Sequence, residues 1–426
     1  MCYNGEKFKL KGHNLMIRFG NNAVVGQSGG PTAAINASLA GVISAALQSE
    51  KIGKLYGMAN GADGFMKERL YDLSALFGNN EADIALLTNT PGAALGSCRF
   101  KLPKPEDDAD FYEKLFALLK KYEIGYFFYI GGNDSMDTTA KVSAYAKANG
   151  IDINVVGVPK TVDNDLCGTD HTPGFGSAAK YVATVLAELR RDTAVYTQKC
   201  VTIVEIMGRD AGWLTASAAL SKTKYTEGAD LIYLPELPFS YDKVFSDIEK
   251  IWETHPDVLV AVSEGVRLAD GTYIGADSTN LDKFGHVQLS GAAKVLERRI
   301  KDKFGCKVRS VELNTPQRCA SHIGSLTDIT ESFGVGAYAV ESAINGASGV
   351  MAGIVRISDA PYKTDFKIFD IKDIANMVKA VPAEYINSDG NGITEDGLTY
   401  LRPLIVGECT PKYENGIPMH YIFAKI

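Results

Sequence analysis

The densest concentration of reactive side chains is Pro159-Lys160-Thr161-Val162-Asp163-Asn164-Asp165, directly after an apolar run. Two carboxylates two residues apart, with a lysine three before the first, suit removal of a hydroxyl proton beside a charge that neutralises a phosphoryl group in transit. A solvated loop is the alternative, though so much charge immediately behind a buried run argues against it. Two glycine turns accompany this segment. In Gly26-Gln27-Ser28-Gly29-Gly30-Pro31 the glycines let backbone approach a phosphate, and the N-terminus of a following helix offers free N–H groups. A tight strand-to-helix turn would look the same. In Gly131-Gly132-Asn133-Asp134-Ser135 two glycines precede a carboxylate at a helix start, which fits an anion-binding turn beside a Mg²⁺ ligand or a simple helix cap. Arg99, Arg209, Arg309 and Arg318 each bring the planar fork that matches a phosphate, and each singly also fits a surface ion pair.

These groups need elements to hold them. Short continuous apolar runs at 23–25, 126–130, 155–158, 201–206 and 258–262 end abruptly at glycine, proline or a polar residue. Continuous rather than alternating apolarity suits strands buried on both faces, as in a parallel sheet. Between them lie helical stripes: Ile35, Leu39, Val42, Ile43 and Ala46; Phe111, Leu115, Leu118 and Leu119; and Val182, Val185, Leu186 and Leu189. Alternating strands and helices predict an α/β, doubly wound architecture with ligands outside the carboxyl ends of the strands, where nearly every polar segment named above falls. The first twenty residues read as an extension, and the turn-rich stretch 357–426 gives no clear pattern.

Composition narrows the chemistry. The 426 residues carry 51 acidic and 44 basic side chains, a net charge of −7, so there is no broad basic field for nucleic acid or an anionic membrane. Any anion must be held by a few placed residues. The seven cysteines include no CxxC pair and fit neither a disulfide framework nor a zinc site, which predicts a reducing, cytoplasmic setting. No signal-peptide stretch and no apolar run of membrane-spanning length is present. The six histidines form no HExxH pattern, and there is no GxSxG elbow. Gly174-Phe175-Gly176-Ser177-Ala178-Ala179 imitates a dinucleotide fingerprint but follows Asp170-His171-Thr172-Pro173 rather than a strand, so it predicts a helix start and not a cofactor site.

In order along the chain, GGPTAAINA (29–37), LGSCRF (95–100), GGNDS (131–135), PKTVDNDL (159–166), VEIMGRDAGW (204–213) and SEG (263–265) resemble the phosphofructokinase family. The resemblance implies two doubly wound, mostly parallel-sheet domains with the active site in the cleft between them. Residues 1–174 plus 319–385 would form the larger, phosphoryl-donor domain, and 175–318 plus 386–426 the smaller, sugar-phosphate domain. Asp134 and Lys160 resemble the pair found in pyrophosphate-using members, where ATP-using members carry glycines. A charge at 134 would repel an α-phosphate, and an ammonium at 160 offers a counter-charge to compact pyrophosphate. The implied reaction is reversible, Mg²⁺-dependent phosphoryl transfer from pyrophosphate to the 1-hydroxyl of fructose 6-phosphate. The rivals are an ATP-dependent enzyme and a non-catalytic sugar-phosphate binder on the same scaffold.

The resemblance also distributes roles. Asp163 is the expected base, with Thr161 and Asp165 beside it and Arg209 near the transferring group. Gly29, Gly30, Arg99, Asp134 and Lys160 would meet the donor. Met207, Gly208 and Glu264 would cradle the sugar, while Arg309 and Arg318 would bind its 6-phosphate, Arg309 from a neighbouring subunit of a homodimer or homotetramer. The sequence departs from the family pattern at three points: Asn133 stands where a metal-binding Asp is usual, so the Mg²⁺ ligand is Asn133 or Asp134; Thr315 replaces a histidine; and Lys199 is the nearest cation to a missing arginine.

Overall fold

A computed structural model describes residues 16–78, 80–281, 287–289 and 291–426. The expected N-terminal extension therefore lies largely outside the described residues. Two sheets dominate the chain. The first holds β1 (Asn22–Gln27), β2 (Leu55–Met58), β3 (Leu70–Asp72), β4 (Ile124–Gly131) and β5 (Asn154–Pro159). The second is built from β6 (Cys200–Ile206), β7 (Leu231–Tyr233), β8 (Asp257–Ser263) and β9 (Lys307–Glu312), after which β10 (Val350–Asp359) and β11 (Tyr362–Asp370) return to the first. Strand order is β11-β10-β5-β4-β1-β2-β3 in the first sheet and β9-β6-β8-β7 in the second. Every pair in the second sheet is parallel. In the first, only the outer strands β3 and β11 run antiparallel to their neighbours. All five apolar runs read from the sequence are strands.

Alternate residues of each central strand enter different cores. Val25, Phe128 and Val156 pack with α1 (Ile35–Gln48), whereas Val24, Phe127 and Val155 pack with α2 (Ala109–Lys121) and α3 (Asn133–Ala148). In the second sheet Val204, Ile206 and Ala261 face α4 (Phe175–Thr193), and Val201, Ile203 and Val260 face α5 (Ala292–Phe304). Helices on both faces explain why the strands are continuously apolar. The same face of the first sheet that carries α1 also carries α6 (Leu326–Ile344). The two helices cross with their backbones almost touching: a Cβ on Gly41 would meet the Phe333 carbonyl oxygen at 2.0 Å, and one on Gly336 the Ser38 oxygen at 2.1 Å. No helix of the described residues is long and apolar enough to cross a membrane.

The turn-rich C-terminal stretch, residues 386–426, has side chains packed beside both sheets. Ile386, Ile393, Tyr400, Leu401 and Leu404 pack beside the second sheet, while Tyr421 and Phe423 return to Phe77 and Tyr71 beside the first. The aromatic contacts that draw the tail back are spaced too irregularly to show a period.

Between the sheets the chain runs through residues 160–174, which are fixed by a buried polar cluster. His171, 1% exposed, has Nδ1 2.8 Å from Asp170 Oδ2 and Nε2 2.6 Å from Glu331 Oε2. Glu331 also accepts hydrogen bonds from Tyr362 Oη and Thr364 Oγ1, and Asp170 accepts from Arg356. The Lys379 ammonium and the Tyr400 hydroxyl donate to the Asp170 carbonyl. Burial alone would lower the His171 pKa, but its two carboxylate partners outweigh burial and hold it at about 9, while they are themselves held low.

The sign of the pH dependence follows. His171 stabilises the fold fully below its ordinary pKa of 6.5, and that contribution fades as pH rises through about 9. The two carboxylates lose theirs as pH falls below their ordinary values. His171→Ala should cost about 3–5 kcal/mol, the range for removing one partner of a buried ion pair. Thermal melts between pH 6.5 and 9 should show a declining Tm in the parent and a flatter profile in the variant; equal slopes would assign the decline to other groups.

Candidate active site

Most loops expected to carry chemistry leave the carboxyl end of a strand; the segment 95–100 that carries Arg99 instead follows a helix, Glu81–Thr88. Ser28, Gly29 and Gly30 follow β1, Gly132 and Asn133 follow β4, and Lys160 follows β5. Met207, Gly208 and Arg209 follow β6, and Glu264 follows β8. Hydrogen bonding continues one step past the strands: Ser28 N–H donates to the Ile130 carbonyl, Lys160 N–H to Gly131 and Glu264 N–H to Ile206. The reactive segments thus start in register and converge on two overlapping cavities. One, of about 370 Å³, is lined by Gly29, Gly30, Asn133, Asp134, Lys160, Thr161, Asp163, Asp165, Arg209 and Glu264. The other, of about 310 Å³, shares Gly29, Gly30, Asp134, Asp163 and Arg209 and adds Cys98, Arg99 and Lys101.

The carboxylate loop owes its shape to Asn164, a residue type tolerated in left-handed backbone (φ 54°). Its side chain is fully buried, with Nδ2 donating to Tyr400 Oη at 2.9 Å and Oδ1 accepting from Thr172 N–H at 3.0 Å. That anchor fixes Asp163 and Asp165 on either side of it. Asp163 N–H donates to Thr161 Oγ1, and the Asp165 carbonyl accepts from Lys379 N–H. Burial raises the pKa of Asp163 against the pull of Lys160, Arg209, Thr161 and Arg318. It also raises that of Asp165, reinforced by the neighbouring Asp163 charge. A carboxyl group raised in this way is a better proton acceptor at neutral pH than an exposed one.

Lys160 is 3% exposed and its ammonium donates to the Gly30 carbonyl at 2.6 Å. Desolvation lowers its pKa to about 8. Arg318 reaches the same place, with Nη1 3.3 Å from where a Gly30 Cβ would stand. Among the described residues, the buried side-chain atoms lacking a hydrogen-bond partner include Arg209 Nε, Arg318 Nε and Asn133 Oδ1. Two guanidinium donors and one acceptor left unmatched around one cleft are what a site for an anion with a cation requires. Asn133 Nδ2 donates to Asp165 Oδ2 at 3.3 Å, which leaves Oδ1 as the free end. Asp134 instead is exposed and pairs with Lys101 at 3.6 Å.

On the opposite wall, Gly208 adopts φ 135°, and its carbonyl accepts from Ser263 Oγ at 2.5 Å. Glu264 Oε1 accepts from Gly208 N–H at 3.3 Å, and burial pushes the Glu264 pKa up to about 7. A Cβ on Gly265 would meet the Arg209 carbonyl oxygen at 2.0 Å, so the end of β8 packs directly beneath the Met207–Arg209 turn. Met207 N–H donates to Gln317 Oε1, a buried side chain that no sequence motif singled out. Arg309 does not join this cleft. It stands on β9, 48% exposed, paired with Asp192 at 3.1 Å. Lys199 lies over the Trp252 ring. The imitation fingerprint starts α4, where Asp328 accepts from Gly174 and Ser177 N–H groups.

The sequence matches the phosphofructokinase family model over residues 22–342. The pyrophosphate–fructose 6-phosphate 1-phosphotransferase of Methylococcus capsulatus is 42% identical over 401 residues, 93% of this chain and 94% of that one. That of Halomonas elongata is 43% identical over 401 residues, 93% and 95% of the two chains. The crystal structure of a pyrophosphate-dependent phosphofructokinase from Nitrosospira multiformis superposes with a TM-score of 0.86 at 39% identity, covering 94% of this chain and 96% of that one. With its six ordered motifs gathered into one cleft between two sheets, the chain belongs to the phosphofructokinase family.

Proposed function

We propose that this chain is a pyrophosphate-dependent 6-phosphofructokinase, transferring a phosphoryl group reversibly between pyrophosphate and the 1-hydroxyl of fructose 6-phosphate. The observation that carries the donor assignment is Lys160: a desolvated ammonium fixed beside the Gly29-Gly30 turn, with Asp134 on the same cavity. Asp163 takes the hydroxyl proton as the new O–P bond forms and the bridging P–O bond of pyrophosphate breaks, releasing phosphate. Lys160, Arg99 and Arg209 offset the charge on the moving group, and Thr161 and Asp165 hold the Asp163 loop in place. Met207, Gly208 and Glu264 receive the sugar. The unpartnered Asn133 Oδ1 fits an oxygen ligand for Mg²⁺, with Asp165 behind it; Mg²⁺ there neutralises part of the donor's charge when bound. A cytoplasmic setting belongs to the same reading, since the described cysteines are all free. Side-by-side assays with pyrophosphate and ATP test the donor: product formation with ATP alone would overturn the assignment.

Asp163→Ala should lower turnover by about 10²–10⁴-fold, the range for losing a positioned base, with little change in substrate affinity. Steady-state kinetics decide it, and a variant turning over at the parent rate would remove Asp163 from the mechanism.

Arg309, absent from the cleft of its own chain, is assigned to the sugar phosphate of a neighbouring subunit in a homo-oligomer. Desolvating that phosphate calls for more than one cation, and Arg318 alone is insufficient. Inactive Asp163→Ala subunits mixed with inactive Arg309→Ala subunits should then regain activity, because hybrids contain one site free of both defects. No recovery despite demonstrated subunit exchange would return Arg309 to its own chain.

A further inference from the structure

Lys101 has no place in the motifs that drew attention to the cleft, yet it lines the 310 Å³ cavity and lies 3.6 Å from Asp134. Both side chains are more than half exposed, at 53% and 61%. An ion pair that exposed contributes little to folding, so the fold does not need it. The backbone on either side is nevertheless held firmly. Upstream, Ser97 Oγ donates to the Gly29 carbonyl at 2.6 Å and Gly29 N–H donates to the Cys98 carbonyl. Downstream, the Lys141 ammonium, paired with Asp137 on α3, donates to the Leu102 carbonyl at 2.9 Å, and Tyr112 Oη donates to the Pro103 carbonyl. Lys101 is therefore a flexible side chain swung from a fixed point, spanning the strap that carries Arg99 and the first turn of α3.

Asp134 makes this arrangement consequential. It borders both cavities, so an unpaired carboxylate there would face an incoming polyanion from every position along the cleft. We propose that Lys101 is a donor-binding residue that cancels the charge of Asp134 and supplies a rotatable N–H donor to the outer phosphate of pyrophosphate. This rests on the pyrophosphate reading above. An ammonium suits the task because it is a point charge with three donors, able to keep Asp134 within reach while it turns towards phosphate. The residues that receive the sugar on that reading, Met207, Gly208 and Glu264, follow strands of the other sheet.

The test is kinetic. Lys101→Met should raise KM for pyrophosphate by about 10-fold, the equivalent of one charge-assisted contact, while KM for fructose 6-phosphate stays within about 2-fold. Lys101→Arg should stay close to the parent. Unaltered melting temperatures establish that all variants are folded. An unmoved KM for pyrophosphate in Lys101→Met, or an equal rise in KM for fructose 6-phosphate, would overturn the proposal. A parent enzyme inactive with pyrophosphate would instead overturn the donor assignment, so the two failures are distinguishable.

Discussion

The constraint on which the rest of the structure turns is the passage of one short segment from the first sheet to the second. Residues 160–174 must leave β5, present two carboxylates to the cleft, and begin α4 on the other side. A loop so placed cannot rely on strand pairing for its shape. It is fixed instead by buried side chains: Asn164 in left-handed backbone held by Tyr400, Thr172 bonded back to Thr161, and His171 locked between Asp170 and Glu331. The groups that hold it come from chain far beyond, on α6, β10, β11 and the segment reaching Tyr400. Order at Asp163 is therefore a property of the whole assembly and not of its own loop.

The cleft this produces is electrically unfinished. Lys160 is desolvated enough to weaken its hold on a proton, Asp163 and Glu264 are raised by the same burial, and buried guanidinium nitrogens of Arg209 and Arg318 lack partners. Taken alone these are costs of several buried polar groups. On the function proposed above, a polyanionic donor with its cation and a sugar phosphate would satisfy them together. The charge development of phosphoryl transfer would then meet groups already oriented.

Much of this was legible in the sequence. The central strands announced themselves because burial on both faces makes them continuously apolar, and their abrupt ends located the reactive loops. Glycine turns and the Lys160–Asp165 cluster marked the site because few other pressures put that much charge behind a buried strand. What stayed hidden has a common cause: it depends on partners distant in the chain. Gln317 reads as an ordinary polar residue until Met207 N–H is found against it, and nothing near Lys101 forecasts Asp134. Tyr421 and Phe423 gave no period because they dock individually on Phe77 and Tyr71. Asn133 and Asp134 differ only in contacts the sequence does not show: Asn133 Oδ1 is buried without a partner, and Asp134 pairs with Lys101.

The return of β10 and β11 to the first sheet has a consequence for how the chain is made. Val155 of β5 meets Ser348, 193 residues later, and α6 closes over α1 through the glycine crossing described above. During synthesis, β1 to β5 emerge long before the strands and helix that cover them. The second sheet, whose four strands follow one another without such an excursion, can assemble in the interval. Pairings of high sequence separation form late because their loop-closure entropy must first be met. The growing polypeptide thus carries an apolar sheet edge at β5 until the ribosome has delivered residue 350 and beyond, and that interval is where chaperone protection would matter most.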